Sequence, residues 1–285
     1  MQLLFFMQYL QFTFNVSGRE QSEILIALLS DIGFNGFEED ENKLKAFTPI
    51  SSFDEILFNK IMENVDVKYF KSTINEVNWN EKWEAGFEPV TVLESGSSTP
   101  FCHIRASFHQ NNPEAIYNIE VTPKMSFGTG HHATTYMMIA AMSQLLFKNK
   151  TVLDFGTGTG VLAILAEKMG AKNIIAIDND DWSISNAKEN LQANLCSKIE
   201  LIKADSLSGN IEAEIILANI NLNVIIANLS KIKECCTANT VILLSGLLAE
   251  NKGEIVVHLN KNGLEVVKFY ERQNWIAIEA VCPGE

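Results

Sequence analysis

The chain has 285 residues, 47% of them hydrophobic and 20% charged, and carries a formal net charge of −13. That length gives one large or two ordinary domains with ample core. The acidity argues against a nucleic-acid-binding surface, which needs clustered Lys and Arg to meet phosphates, and suits a cationic partner such as a Lys-rich protein. Five cysteines, Cys102, Cys196, Cys235, Cys236 and Cys282, include no Cys-x-x-Cys and give neither a zinc spacing nor a disulfide framework, which fits a reducing cytosol. The apolar run over residues 1–7 has no Lys or Arg and is too short for a signal-peptide core or a membrane span. Met7 is an alternative start, with residues 1–6 an upstream extension.

Residues 9–16 place Tyr9, Leu10, Phe12, Phe14 and Val16 among polar residues, the pattern of a half-buried strand. Ser17, with Glu20 three positions on, caps a helix in which Ile24, Leu25, Leu28, Leu29 and Ile32 recur at helical spacing, and Gly33 ends it. Residues 34–37 and 44–47 read as two strands joined through the acidic run 38–41. Residues 53–62 form a second amphipathic helix and 67–77 a last strand. The order β-α-β-β-α-β predicts a smaller amino-terminal ferredoxin-like α+β domain over residues 1–77, with its helices on one sheet face. It holds six basic and twelve acidic residues but no glycine loop, catalytic pair or metal spacing, so its role is contact rather than chemistry.

Residues 78–88 read as a helical linker, where Trp79 and Trp83, four apart, share one face and Pro89 stops the helix. From residue 89 to 285 a second domain follows. Residues 90–93 and 101–108 are strands around a Ser-Gly-Ser-Ser turn, and 119–121 is a short strand. It leads into a polar loop with Gly128, Gly130, His131 and His132, after which Thr134 and Thr135 open a helix over 136–146. Two glycines and two hydroxyls at a helix start place polar groups near a ligand. The histidine pair has no third ligand at a sensible spacing, so no metal is expected.

Thr151, Val152 and Leu153 form a buried strand without alternation. Asp154 stands at its end, Gly156, Gly158 and Gly160 follow at every second position, and residues 161–168 are helical. Such a turn lets backbone lie against a ligand that any Cβ would displace. Residues 173–177 are the next strand, and Asp178 at its carboxyl end can grip the two hydroxyls of a ribose. A dinucleotide site would show Gly-x-Gly-x-x-Gly. Gly-x-Gly-x-Gly, with the Asp154 carboxylate turned into the same loop, favours S-adenosylmethionine over NAD, since a carboxylate repels a pyrophosphate but tolerates a cationic amino-acid end.

The remaining pattern alternates helix and strand. Residues 181–194 are helical and 199–202 a strand, with Ala204 and Asp205 at the edge of an adenine pocket. A strand over 214–217 delivers Asn219 beside the glycine turn. A helix over 221–233, a strand over 240–244 ending at Ser245-Gly246, a helix over 248–262 and a hairpin of 264–270 with 275–281 complete an α/β fold, a seven-stranded doubly wound, Rossmann-like methyltransferase sheet.

Five stretches carry a resemblance: Trp79-Asn80-Glu81-Lys82-Trp83, Phe127-Gly128-Thr129-Gly130-His131-His132, residues 154–160, Ala218-Asn219-Ile220 and Ser245-Gly246-Leu247-Leu248. Together they resemble the bacterial ribosomal-protein methyltransferase A family, which trimethylates large-subunit ribosomal protein eleven, over most of the chain from about Asn78 onward. The resemblance implies a protein-lysine N-methyltransferase that acts on Lys side chains and the N-terminal amine of that protein. Transfer to Lys, which is protonated near neutral pH, needs a neutral amine held in line with the methyl. Asn219 is then the catalytic residue, its amide oxygen accepting a bond from the amine without retaining its proton as a carboxylate would, and Thr135, Asp154, Gly156, Gly158, Asp178 and Asn219 bind S-adenosylmethionine. It further implies a substrate-recognising amino-terminal domain on a mobile linker. A cytoplasmic monomer without direct nucleic-acid or membrane contact is expected. Two positions depart from the commonest family pattern: Thr122, where an Asp precedes the Pro, and Thr157, where many members have Cys. Two rival readings are a methyltransferase for a nucleic-acid or small-molecule amine and a non-catalytic binder of S-adenosylmethionine or NAD.

Overall fold

Alternation over Tyr9–Asn15 buries Leu10, Phe12 and Phe14 on one face of the first strand, β1, and that face founds a phenylalanine core. The computed structural model describes residues 9–30, 32–34, 36–40, 42–63, 65, 67–74, 87–123, 128–207 and 211–284. The chain divides into two units, Met1–Lys82 and Trp83–Glu285.

In the first unit, β1 is followed by α1 (Arg19–Ser30), β2 (Gly36–Asp40), β3 (Lys43–Pro49), α2 (Glu55–Met62) and β4 (Lys68–Ile74). The sheet order β2-β3-β1-β4, antiparallel at each pairing, is the ferredoxin-like arrangement. Phe12 packs against Phe58 of α2 with ring centroids 4.5 Å apart, and Leu25 and Leu29 of α1 close the same core. Asp54 caps α2 by accepting from the Ile56 and Leu57 N–H groups at 2.9 and 3.1 Å. One expectation is corrected. Glu38, Glu39 and Asp40 are not a loop but part of β2, and the turn falls just beyond them. An exposed edge strand carries charge at little cost, and Lys45, directly opposite Glu38, reaches its carboxylate at 2.9 Å. Residues 1–8, with the alternative start, and the expected linker helix with Trp79 and Trp83 lie outside the described residues.

The second unit begins with a three-stranded sheet, β5 (Val90–Leu93), β6 (Pro100–Arg105) and β7 (Tyr117–Glu120), in which β6 pairs antiparallel with β5 and parallel with β7. β6 stops short of Phe108, because the His109 N–H turns back onto the Ala106 carbonyl at 3.1 Å. Then follow α3 (Ala133–Met142), β8 (Thr151–Phe155), α4 (Val161–Lys168), β9 (Asn173–Asp178), α5 (Asp181–Ala193), β10 (Ile199–Lys203), β11 (Ala213–Asn219), α6 (Leu222–Glu234), β12 (Cys236–Leu248), α7 (Lys252–Lys261), β13 (Glu265–Arg272) and β14 (Trp275–Val281). The sequence expectation made β12 too short, since the ladder to β14 resumes beyond Gly246 at Leu247 and Leu248. It also made one helix of residues 248–262, where a single 3-10 turn, Ala249–Asn251, precedes α7.

Seven strands form one sheet in the order β10-β9-β8-β11-β12-β14-β13, parallel except that β14 runs against both neighbours. Successive residues serve opposite faces. Val152, Ile215, Leu217 and Leu243 join one core with α3 and α4, while Leu153, Ile216, Ala218 and Leu244 join another with α6 and α7. Burial on both faces is why these strands read as unbroken apolar runs. Strand order brings the carboxyl ends of β8, β9, β10, β11 and β12 to one edge, with β8 and β11 adjacent at its middle. Among the described residues, no helix is long and apolar enough to cross a membrane.

Candidate active site

Two glycine turns and the residue wedged between them shape this edge. Gly156 follows β8 with φ 77°, and Gly246 lies within β12 with φ 87°. A Cβ on Gly156 would strike the Ile220 side chain, and one on Gly246 would strike the Ile220 carbonyl. The Ile220 N–H also donates to the Ser245 carbonyl at 3.1 Å. Ile220 is thereby clamped, and with it the preceding Asn219.

A cavity of about 510 Å³ runs across the strand ends, within the range of small-molecule sites. Ala204 and Asp205, beyond β10, line one end, next to Asp178; Trp275, at the start of β14, lines the other; Gly156, Gly158 and Asn219 lie between. The Asp178 carboxylate is held in place: Oδ2 accepts from the Gly158 N–H at 2.9 Å and Oδ1 from the Asp180 N–H at 3.1 Å. At the Trp275 end, the His132 ring meets the indole edge-on, with centroids 4.7 Å apart at 71°.

Asn219 is 7% exposed, and its two amide atoms have different fates. Nδ2 donates to Thr135 Oγ1 at 3.1 Å, whereas Oδ1 is buried without a partner. Thr135, fully buried in the first turn of α3, thus fixes which way the amide faces. Beside the main cavity, Thr135, Asn219, Gly156, Gly128 and Thr157 wall a recess of about 10 Å³, the room of a single water.

Asp154 does not line the cavity. It lies fully buried beneath the glycine turn, where Thr157 Oγ1 donates to Oδ2 at 2.6 Å and Oδ1 has no partner. Burial pushes its carboxyl up to about 7, the Thr157 bond opposing that rise and the nearby Asp178 charge adding to it. In the sequence Thr157 stands out only as a departure from the family pattern; a hydroxyl three residues after a strand-end acid is the signal for this bond.

His131 and His132 each have a local occupation. His131 donates from Nε2 to the Glu88 carbonyl at 2.9 Å and bonds Thr129 Oγ1 through Nδ1 at 3.1 Å. His132 caps α3, accepting from the Thr134 N–H. Two asparagines that sequence reasoning passed over hold the approach to the polar loop. Asn190 accepts from the Thr122 N–H at 2.7 Å and donates to the Thr159 carbonyl at 2.8 Å, and Asn194 exchanges bonds with the backbone of Glu120 at 3.0 and 2.6 Å. Recurrence every fourth residue on α5 was their signal. The contact at position 122 is through backbone, so Thr serves there as well as Asp.

The cavity wall suits a cationic nucleoside better than a phosphate ester. It carries the carboxylates of Asp178 and Asp205, and no Lys or Arg is among its described lining residues. A nucleoside with a sulfonium and an α-amino group meets that wall favourably, while a pyrophosphate would be repelled.

The family model described as "Ribosomal protein L11 methyltransferase (PrmA)" matches residues 20–282. The ribosomal protein L11 methyltransferase of Phocaeicola vulgatus is 34% identical over 285 residues, covering 96% of this chain and 99% of its own length. That of Chlorobaculum tepidum is 34% identical over 268 residues, 90% of each. A crystal structure of ribosomal protein L11 methylase from Lactobacillus delbrueckii subsp. bulgaricus is similar at a TM-score of 0.61 and 26% identity, over 67% of this chain and 98% of that one. With nearly its whole length matched at a third identity, and with a nucleoside-sized acidic cavity at the strand ends, the chain belongs to the ribosomal protein L11 methyltransferase family and is an S-adenosylmethionine-dependent methyltransferase.

Proposed function

We propose that the chain methylates Lys side chains and the N-terminal amine of ribosomal protein L11. The observation that carries this reading is the orphaned Oδ1 of Asn219 in the cavity wall. A buried acceptor without a partner is costly, and an incoming amine N–H satisfies it. In this reading Asp178 binds the ribose hydroxyls, Ala204 and Asp205 flank the base, and the Gly156 and Gly158 backbone lies against the ligand. Thr135, which walls the recess beside Asn219, serves the cationic amino-acid end, and Asp154 supports the glycine turn from beneath. When bound, the cofactor supplies a methyl group on a sulfonium, which is a good leaving group.

The chain's own work is then placement. Removal of the Lys amine from water disfavours its charged form. Asn219 Oδ1 accepts one N–H of the neutral amine and points its lone pair along the transfer line. His132 and Trp275 give the far end of the cavity an apolar, aromatic wall against which an aliphatic side chain packs. The first unit recognises the protein substrate. The chain acts as a cytoplasmic monomer without contacting nucleic acid, a reading supported by its charge of −13. The test is methyl transfer from radiolabelled S-adenosylmethionine to large ribosomal subunits from cells lacking the gene. Label in the ribosomal protein is expected; label in RNA instead would replace this reading with a nucleic-acid methyltransferase.

A further inference from the structure

The polar loop over residues 128–132 carries two histidines. His132 lines the cavity and caps α3. His131 makes different contacts: Nε2 donates to the Glu88 carbonyl at 2.9 Å, Nδ1 bonds Thr129 Oγ1 at 3.1 Å, and the ring meets Phe87 edge-on, with centroids 4.9 Å apart at 80°. Phe87 and Glu88 are the first described residues of the second unit, where the chain arrives from the first. Phe87 is firmly seated there: it is 4% exposed and belongs to the core that holds Val92, Ile104 and Ile119 of the small sheet.

The loop needs ties of this kind. Gly128 and Gly130 have φ of 108° and 91°, and glycine loses more conformational freedom on ordering than any other residue. Thr159 of the glycine turn holds one end by donating to the Gly128 carbonyl at 3.0 Å, and at Gly130 a Cβ would strike the Ile104 side chain. The start of α3 follows directly. The His132 carbonyl accepts from the Tyr136 N–H at 3.1 Å, and between these residues Thr135 Oγ1 accepts from Asn219 Nδ2 at 3.1 Å. His131 thus lies four positions before the hydroxyl that sets the Asn219 amide.

We propose that His131 is a positioning residue for methyl transfer, fastening the arriving chain at Glu88 to the loop that sets Thr135 and, through it, Asn219. This role rests on the reading that Asn219 aligns the amine. His131 is not among the described lining residues of the cavity, so it acts through its neighbours rather than on the substrate. Small displacements suffice for such an effect, because a misplacement of about 1 Å caused far from the chemistry can cost about 10²-fold in rate. The chain that leads from the recognising unit to the chemistry is thereby anchored on the catalytic loop itself.

The test compares His131→Ala and His131→Gln in the full-length protein, since the Gln side-chain N–H can replace the imidazole donor to Glu88. Three quantities are measured: kcat and KM on unmethylated ribosomal protein L11, cofactor Kd by calorimetry, and hydrogen exchange at the Tyr136 amide. His131→Ala should lower kcat about ten-fold, within the range for residues that act on a site through intervening contacts, with KM and Kd near parental and faster exchange at Tyr136. His131→Gln should recover most of both losses. A parental kcat in His131→Ala, equal losses in Ala and Gln, or a fall in cofactor affinity that matches the fall in rate would overturn the assignment, the last by making His131 a general structural tie. If the parent itself leaves the ribosomal protein unmethylated, the reading of the reaction falls instead. Exchange at Tyr136 needs no substrate, and an unchanged rate there in His131→Ala would overturn the role of His131 by itself.

Discussion

Truncation of Asn219 to Ala separates placement of the amine from binding of the cofactor. The side chain makes one hydrogen bond, from Nδ2 to Thr135 at 3.1 Å, and leaves Oδ1 buried without a partner. Truncation therefore removes a bond worth about 1 kcal/mol net, together with an orphaned acceptor whose burial costs about 1–3 kcal/mol. These changes oppose each other, so folding stability should move by no more than about 2 kcal/mol. Turnover should move much further. Loss of one positioned hydrogen-bonding group in a desolvated site costs about 10²–10³ in rate, or about 2.7–4 kcal/mol. An interaction made mainly in the transition state appears in kcat rather than in affinity. The assay measures kcat on unmethylated ribosomal protein L11 and, separately, cofactor Kd by calorimetry. Asn219→Asp sharpens it: a carboxylate favours the charged amine, so this variant should be slowest at low pH. Parental rates in both variants would reduce Asn219 to a strand cap and send the search for the amine's partner elsewhere.

Four further outcomes are expected. Asp178→Ala should lose about ten-fold or more in cofactor affinity, since even one charge-assisted bond to a ribose hydroxyl is worth about 1.5–3 kcal/mol; calorimetry showing parental affinity would take Asp178 out of the site. Gly246→Ala forces a Cβ against the Ile220 carbonyl at a φ of 87°, so urea unfolding should show a loss of more than about 1 kcal/mol, and an unchanged midpoint would mean that the clamp is loose. Burial holds the Asp154 carboxyl near about 7 in the folded chain, against 3.8 when exposed. The folded state then binds the extra proton between those values, and stability falls as pH rises from about 4 to 7; Asn at 154 should remove that part of the slope, and identical slopes in variant and parent would refute the cause. Deletion of residues 1–77 should abolish methylation of the ribosomal protein while leaving cofactor affinity nearly parental, and full activity in the truncated chain would deny the first unit its recognition role.

Much of this architecture was legible because both faces of the large sheet are covered. Unbroken apolar runs such as residues 151–153 and 173–177 announce buried parallel strands, and the glycine turn followed by a strand-end Asp178 announces a nucleoside site. Harder to read were features set by partners distant in sequence. Glu38, Glu39 and Asp40 resemble a loop until Lys45 stands opposite across an edge ladder. β12 continues past Gly246 because β14 takes up the pairing again at Leu247, which the local pattern around a glycine cannot reveal. Asp154 looked like a group facing the ligand. Its burial under the turn, where Thr157 donates to it, depends on packing that a strand-end acid does not encode.

That burial of Asp154 also bears on why an amide stands at the end of β11. Asp154 pairs with Leu217 in the ladder, two residues before Asn219, and the Asp178 charge already raises its carboxyl. A carboxylate at 219 would add a further like charge to this cluster and would hold the proton of an arriving ammonium. A neutral amide does neither. The proposed mechanism thus assigns attraction and transfer to different groups: Asp178 and Asp205 would give the cavity the sign that draws in a cationic chain, and Asn219, fixed by Thr135 and by the clamped Ile220, would align the amine once its proton has gone. An acid in that position would improve the encounter at the expense of the reaction, which is the distinction that Asn219→Asp measures.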